Sequence, residues 1–452
     1  MQSGVFFDMW EWLALPIYML LVFLLALMHQ KRKVSQNPLY KYYTWGLFAR
    51  IGGAIFFGLI YEYYYLAGDT FGYFMGAVNM DKLLFHNPVG WFHNEFGASS
   101  YANYTYFDKE TGYPLPYMYF DPRTFMVMRF INLLMIPALN SYLLATVIFA
   151  WFCYIGIWKM FLVFVHYYPK LTKQLAFGIL FFPSVLFWGS GILKDTITLS
   201  CTGWIVYCIH SIFILRRKWL LHLIILLFNF YLVLVIKPYI IFALLPGSLM
   251  WIFSDKIYKI RNAAARVLIV PLIIVSCLGA GYFILSNLGS YLGKFSIDKV
   301  TTTAAVTQND LKQSYYQGHS FDIGLEDRSL TGMLKKSPEA FVAGIYRPFI
   351  WETGNFVMLL SGLENTFLIL LTLWMLLRTS IFTIINRLFA EPILFFTITY
   401  SIFFAASVGL TTANFGAMAR FKTAYIPFFV VAIFILLNKR LQHTDDEALA
   451  EG

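Results

Sequence analysis

The chain has 452 residues, of which 59% are hydrophobic and only 13% charged, and its formal net charge is +10. An ordinary soluble domain carries about 25% charged residues, so most of this apolar surface must face lipid or other membrane-embedded helices. Composition thus excludes a soluble enzyme, a disordered chain and a secreted disulfide scaffold. The four cysteines, Cys153, Cys201, Cys208 and Cys277, all lie in apolar runs without metal-ligand spacing and read as packing residues. In a membrane protein an excess of Lys and Arg records orientation before anything else, and nucleic acid is not expected as a partner.

Taken in chain order, the first apolar run covers 10–28 and is followed by Lys31, Arg32 and Lys33 with no small-residue cleavage site before them, so no removable signal peptide is expected. Further runs cover 45–65, 141–165, 175–190, 196–215, 219–235, 238–253, 267–287, 356–377, 390–410 and 424–437. The expected fold is an all-α, polytopic transmembrane bundle of about 11 (10–13) spans. The stretch 124–139 carries Arg129 and Pro137 and reads either as a twelfth span or as a juxtamembrane helix; the count without it is preferred. With the N-terminus outside, every compact basic loop falls on one face, as the positive-inside rule requires. These loops are Lys31–Lys33, Lys170 with Lys173, Arg216–Lys218, the cluster from Lys256 to Arg266, Arg378 with Arg387, and Lys439 with Arg440. Residues 1–440 then read as one transmembrane domain with long exterior loops at 66–123 and 288–354, both irregular, and 441–452 as a polar cytoplasmic tail.

Five short polar motifs fall on the exterior ends of spans in this topology: GDT at 68–70, SGILKD at 190–195, KPY at 237–239, RPFIWE at 347–352 and NFGAMARFK at 414–422. Ionisable groups at membrane depth cost about 2.5–3.5 kcal/mol each unless paired or hydrated. Each has an ordinary reading as well. Asp69 could simply end a helix, Lys194 and Asp195 could pair locally, Lys237 could anchor a helix break, and Arg347 and Glu352 could brace one another. Arg420 and Lys422 could meet lipid headgroups. Trp351 and Tyr63–Tyr65 read as an aromatic belt, and Glu62 and Glu364 as buried structural carboxylates.

Their conjunction on one face points to a shared cavity. Lys194, Lys237, Arg347 and Arg420 suit the phosphate of a lipid whose tail stays in the bilayer, because Arg grips two oxygens at once and Lys supplies a compact charge. Asp195, Glu352, Lys422 and Tyr73 join them as substrate-binding candidates. Asp69, with Thr70 as a hydrogen-bond partner, suits a general base acting on an acceptor hydroxyl. The implied reaction is sugar transfer from a polyprenyl-phosphate donor to a glycan, lipid or protein acceptor. A divalent metal is compatible with this chemistry, but the sequence does not require one.

The segment YYYLAGDTFGYFMGA (63–77), the following loop 78–139, FFPSVLFWGSGILKDTITL (181–199) and NFGAMARFKTAYIPFF (414–429) together resemble the GT-C membrane glycosyltransferases. That superfamily includes the protein O-mannosyltransferases and the aminoarabinose transferases of lipid A. The resemblance implies a catalytic carboxylate at Asp69, a loop with juxtamembrane helices, and residence in a bacterial inner membrane with the C-terminus cytoplasmic. The chain departs from the pattern in having one span before the segment that would be the first core helix, and no DD or DE pair in the loop. A polysaccharide polymerase or O-antigen ligase would use a similar basic ring against a lipid pyrophosphate. A transporter would instead show half-to-half symmetry, which the sequence lacks.

The topology is directly testable. A single cysteine at Ser99 or Gln308 should react with an impermeant thiol reagent on intact cells or spheroplasts, and one at Ser254 should not. Labelling of Ser254 with protection of Gln308 would overturn the orientation.

Overall fold

The computed structural model describes residues 7–258, 321, 323–324, 327 and 329–438, together with 272, 275, 276 and 279. The anticipated span at 267–287 (those four residues apart), the segment 288–320, Cys277 and the tail 441–452 lie outside the described residues. Every regular element among the described residues is helical.

The helices in chain order begin with α1 (Met9–Val34), α2 (Tyr43–Ile60), α3 (Asp69–His86) and α4 (Pro88–Phe96). Next come α5 (Tyr101–Tyr104), α6 (Pro116–Tyr119), α7 (Pro122–Met135), α8 (Tyr142–Tyr167), α9 (Thr172–Ala176) and α10 (Pro183–Trp188). They continue with α11 (Lys194–Ile209), α12 (Trp219–Ile236), α13 (Tyr239–Ile252) and α14 (Ser254–Tyr258). After the undescribed stretch follow α15 (Leu330–Tyr346), α16 (Phe356–Arg378), α17 (Ile381–Ala390), α18 (Pro392–Thr411), α19 (Phe415–Lys422) and α20 (Ile426–Leu437). Among the described residues seven segments are long and apolar enough to cross a membrane, and an eighth is counted if α19 and α20, bent by 61°, form one broken span.

Not every expectation holds. The run 175–190 is interrupted: a π-turn over Phe177–Phe181 is followed by extended Phe182, and Pro183, which has no N–H to continue the ladder, starts α10 afresh. The stretch 124–139 keeps its preferred reading as a helix that does not cross: α7, Pro122–Met135, has 14 residues, is only about 21 Å long at 1.5 Å per residue, and is not among the segments fit to span. The loop 66–123, irregular by its composition but expected from the resemblance to carry juxtamembrane helices, is mostly helical. Asn94 explains why. Its amide donates to the carbonyls of Gly90 and Asn103, both at 2.9 Å, and its oxygen accepts the Tyr119 hydroxyl at 2.7 Å, so one buried side chain holds three segments. Arg129 of α7 joins it, donating from Nε to the Asn94 carbonyl at 2.8 Å and lying 4.6 Å above the Phe125 ring.

The described chain forms two compact units, Met1–Tyr167 with Ile179–Pro238, and Tyr168–Gly178 with Tyr239–Gly452. In the first, α8 and α11 meet backbone to backbone. A Cβ on Gly156 would collide with the Ser200 carbonyl, and one on Gly203 with the Gly156 carbonyl, so both positions require glycine for close approach. Cys153, Cys201 and Cys208 are buried free thiols around this seam. In the second unit, α15 and α18 make the same kind of contact through Gly344 and Gly409.

Glu11, near the start of α1, is buried and accepts from the Ser141 hydroxyl at 2.5 Å and the Leu143 N–H at 3.1 Å. A carboxylate on those donors satisfies the first turn of α8 and complements its dipole. Glu11→Ala should therefore destabilise the protein by about 1–3 kcal/mol, the penalty for leaving buried donors unmet. The check is a thermal melt in detergent, and an unchanged midpoint would remove Glu11 from the framework.

Candidate functional site

In the first unit, α2 ends in a π-turn over Tyr61–Tyr65, and the chain doubles back through Leu66 and Gly68 into α3. A Cβ at Gly68 would overlap the Tyr61 ring, so glycine is what lets the turn close. Asp69 is the first residue of α3 and is exposed. Tyr117 of α6 lies within its electrostatic reach: desolvation, and then the Asp69 carboxylate, push the Tyr117 phenol up. Thr70, expected to hold the Asp69 carboxylate, instead has its hydroxyl 2.7 Å from that of Tyr142 and is fully buried. Tyr73 is buried one turn further along α3, among packing side chains.

α3 and α7 run side by side in the same direction. Gly76 is pressed against Met128, the Ala77 carbonyl accepts from Asn132 at 3.2 Å, and Asp81 accepts from Asn140, just beyond α7, at 2.7 Å. Their starting ends are therefore neighbours, and each begins with a carboxylate. At the start of α7 that group is Asp121, which caps the helix by accepting from the Arg123 N–H at 3.4 Å and the Thr124 hydroxyl at 2.5 Å.

Lys194, the first residue of α11, reaches this cap. Its ammonium is 2.6 Å from the Thr124 hydroxyl and 3.4 Å from the Asp121 carboxylate. The pair is only partly shielded, with 18% and 30% of the two side chains exposed, so solutes can approach it. Asp195 does not pair with its neighbour, as a local reading would have it. It makes a short contact with Lys237, and both side chains are buried. Lys237 is thus more than an interfacial anchor: it ties the end of α12 to the first turn of α11. The result is an alternating row, Asp121–Lys194 beside Asp195–Lys237, with Asp69 at the start of the adjacent helix. Asp121 and Thr124 are the members that sequence reasoning missed. Among the described residues no three His, Cys, Asp or Glu side chains gather closely enough to hold a metal ion.

The other candidates belong to the second unit. Arg347 pairs with Glu352 at 3.1 Å and lies over the rings of Phe321 and Phe349 at 5.2 and 5.9 Å. Glu352 also accepts the Phe349 N–H at 2.9 Å, so the ordinary reading of this pair as a mutual brace describes its geometry. Arg420 is half-buried on α19. Lys422 is fully engaged: its three N–H groups meet the carbonyls of Ile345 at 2.8 Å and Arg347 at 2.5 Å, and the Asn365 side-chain oxygen at 2.7 Å. An ammonium has three donors and these acceptors use them all, so Lys422 pins the turn after α15 instead of offering a charge to a ligand.

The chain matches no family model, no curated protein and no solved structure. The fold itself defines the class: a membrane protein whose described residues are helical throughout their regular elements, with seven to eight helices among them fit to cross a membrane.

Lys422→Met keeps the stem and deletes the donors, orphaning three buried acceptors at about 1–3 kcal/mol for each left unmet. A lowered melting midpoint is expected. A variant that melts like the wild type but binds a lipid phosphate less well would instead make Lys422 a ligand contact.

Proposed function

We propose that the protein is a membrane glycosyltransferase that moves a sugar from a polyprenyl-phosphate donor to an acceptor on the exterior face. The observation that carries this reading is the partly exposed Asp121–Lys194 pair joining the starts of α7 and α11, with Asp69 at the start of α3, the helix packed beside α7. The GT-C resemblance of 63–77 and 181–199 supports it, since both stretches contribute to this group. The topology that accompanies the reading is about 11 spans in a bacterial inner membrane, with the C-terminus cytoplasmic. It is reached if the broken run 175–190, α13 and 267–287 also cross.

In this scheme Lys194, standing at the start of α11 where the helix dipole also favours an anion, holds the donor phosphate. The acceptor hydroxyl attacks the anomeric carbon and gives its proton to Asp69. The bond from that carbon to the phosphate oxygen breaks, and the lipid phosphate leaves as an anion stabilised by Lys194. Asp121 and Thr124 hold Lys194 in place, and the buried Asp195–Lys237 pair fixes the first turn that carries it.

Asp69→Asn preserves size and deletes the basic lone pair. Transfer should fall at least about a hundredfold, within the usual range for loss of a positioned base, while expression and donor binding stay near wild type. The measurement is transfer from a radiolabelled lipid-linked sugar in reconstituted vesicles. Wild-type transfer by a folded Asp69→Asn protein would sink the assignment, and loss in Asp121→Asn alone would move the base to Asp121.

A further inference from the structure

The first unit is divided by charge to an unusual degree. All ten Asp and Glu residues of Met1–Pro238 fall within 8–11, 62–121 and at 195; the segments 12–61, 122–194 and 196–238 contain none. The end of the unit opposite Asp69 and Lys194 is therefore free of acidic side chains. It gathers the close of α1, the start of α2, the close of α8 and α11, and the start of α12. Thr44 at the start of α2 donates to Gln30 of α1 at 3.2 Å, and His166 and His210 bring the ends of α8 and α11 together with ring centroids 4.8 Å apart.

Exposed basic loops at such an end are what membrane orientation alone would give, and Lys31–Lys33 and Arg216–Lys218 need no other account. Lys159 does. It sits inside α8, eight residues or about 12 Å before the helix ends, and it is half-buried. Its ammonium lies over the rings of Tyr207 and Trp204, at 4.7 and 5.6 Å from their centroids. Two ring faces give a cation modest stabilisation, but they do not neutralise it. Lys33 lies within electrostatic reach of Lys159, and Arg32, Lys33 and Lys159 all lie within reach of the His29 ring. Among the described residues no carboxylate is within ion-pairing distance of any of the three. Beside them stands an aromatic wall in which Tyr40 and Tyr43 each pack edge-on to Trp158 at 5.2 Å. Like charges gathered at the edge of a low-dielectric slab, one of them inside a span, call for an anion that can itself enter that zone. A phosphodiester tethered to acyl chains does so, and a freely hydrated anion does not.

We infer that the acid-free end of the first unit binds the headgroup phosphate of an anionic phospholipid, with Lys159 as the deepest contact and Arg32 and Lys33 at the rim. The site lies at the opposite end from the proposed transfer chemistry and does not depend on it. It requires only that the unit be membrane-embedded.

The test uses the full chain, purified in an uncharged detergent and melted in the presence of phosphatidylglycerol, phosphatidylcholine or inorganic phosphate. Phosphatidylglycerol should raise the melting temperature saturably, and the other two should not. Lys159→Met should weaken the apparent affinity for phosphatidylglycerol roughly fivefold, the equivalent of about 1 kcal/mol for one interfacial cation. The exposed double variant Arg32→Gln, Lys33→Gln should weaken it further, while Lys109→Gln, in the helical lobe, should leave it unchanged. Wild-type affinity in a folded Lys159→Met protein would overturn the site. Should that variant fail to fold, wild-type affinity in the double variant would do the same. An equal shift with inorganic phosphate would replace the lipid by a soluble anion and overturn the proposal.

Discussion

The buried ion pair between Asp195 and Lys237 is the interaction on which the arrangement of the first unit turns. A buried pair contributes little net stability relative to apolar packing, yet removing one partner typically costs 3–5 kcal/mol. It therefore acts as a lock on geometry. Because Asp195 is committed to α12, the side chain one residue earlier is rotated by about 100° around the helix. That rotation turns Lys194 towards the cap of α7. Two adjacent charges in the sequence thus serve separate elements, Asp195 the end of α12 and Lys194 the cap of α7.

The helical lobe between α2 and α8 follows from a related constraint. On α4 the polar Asn94 and Glu95 face inward, whereas Val89, Phe92 and Phe96 are exposed, an inversion of the usual soluble pattern. Burial raises the Glu95 carboxyl to about 7, with the Arg129 guanidinium opposing the shift. A helix that hides Asn94 and Glu95 and displays Val89, Phe92 and Phe96 is arranged for an apolar surrounding, with hydrogen bonds such as those of Asn94 supplying the specificity that packing alone would not.

Much of the scaffold could be read from apolar run length, because an uninterrupted hydrophobic stretch of about 20 residues has few alternatives to spanning. Reading failed where the backbone was interrupted inside such a run, as at Pro183; at α7, whose Arg129 and Pro137 had marked 124–139 as doubtful, the count that left it out agrees with a helix too short to cross. The site was legible in part. Asp69 and Lys194 stood out as charges at the ends of apolar runs. Asp121 did not, since an Asp before a Pro reads as an ordinary helix start, and its partner Lys194 lies 73 residues further on. Lys422 was misread for the same reason: its three acceptors lie 57 to 77 residues away. The Arg347–Glu352 pair, only five residues apart, was visible as a pair from the outset. Local pattern reveals which groups carry charge, and long-range folding decides what that charge is used for.

The contact between α8 and α11 through Gly156 and Gly203 has a bearing on how the protein meets membranes of different thickness. Where two backbones touch, there is no layer of flexible side chains to absorb vertical slip, so the height of Lys194 is set against α8 and not against the lipid. α1 and α12, the candidate spans that bury the smallest share of their surface in the protein, are the elements left to tilt when the hydrocarbon layer thickens or thins. The row of charges at the start of α11 would then keep its internal spacing, while its depth below the headgroups shifts with the bilayer.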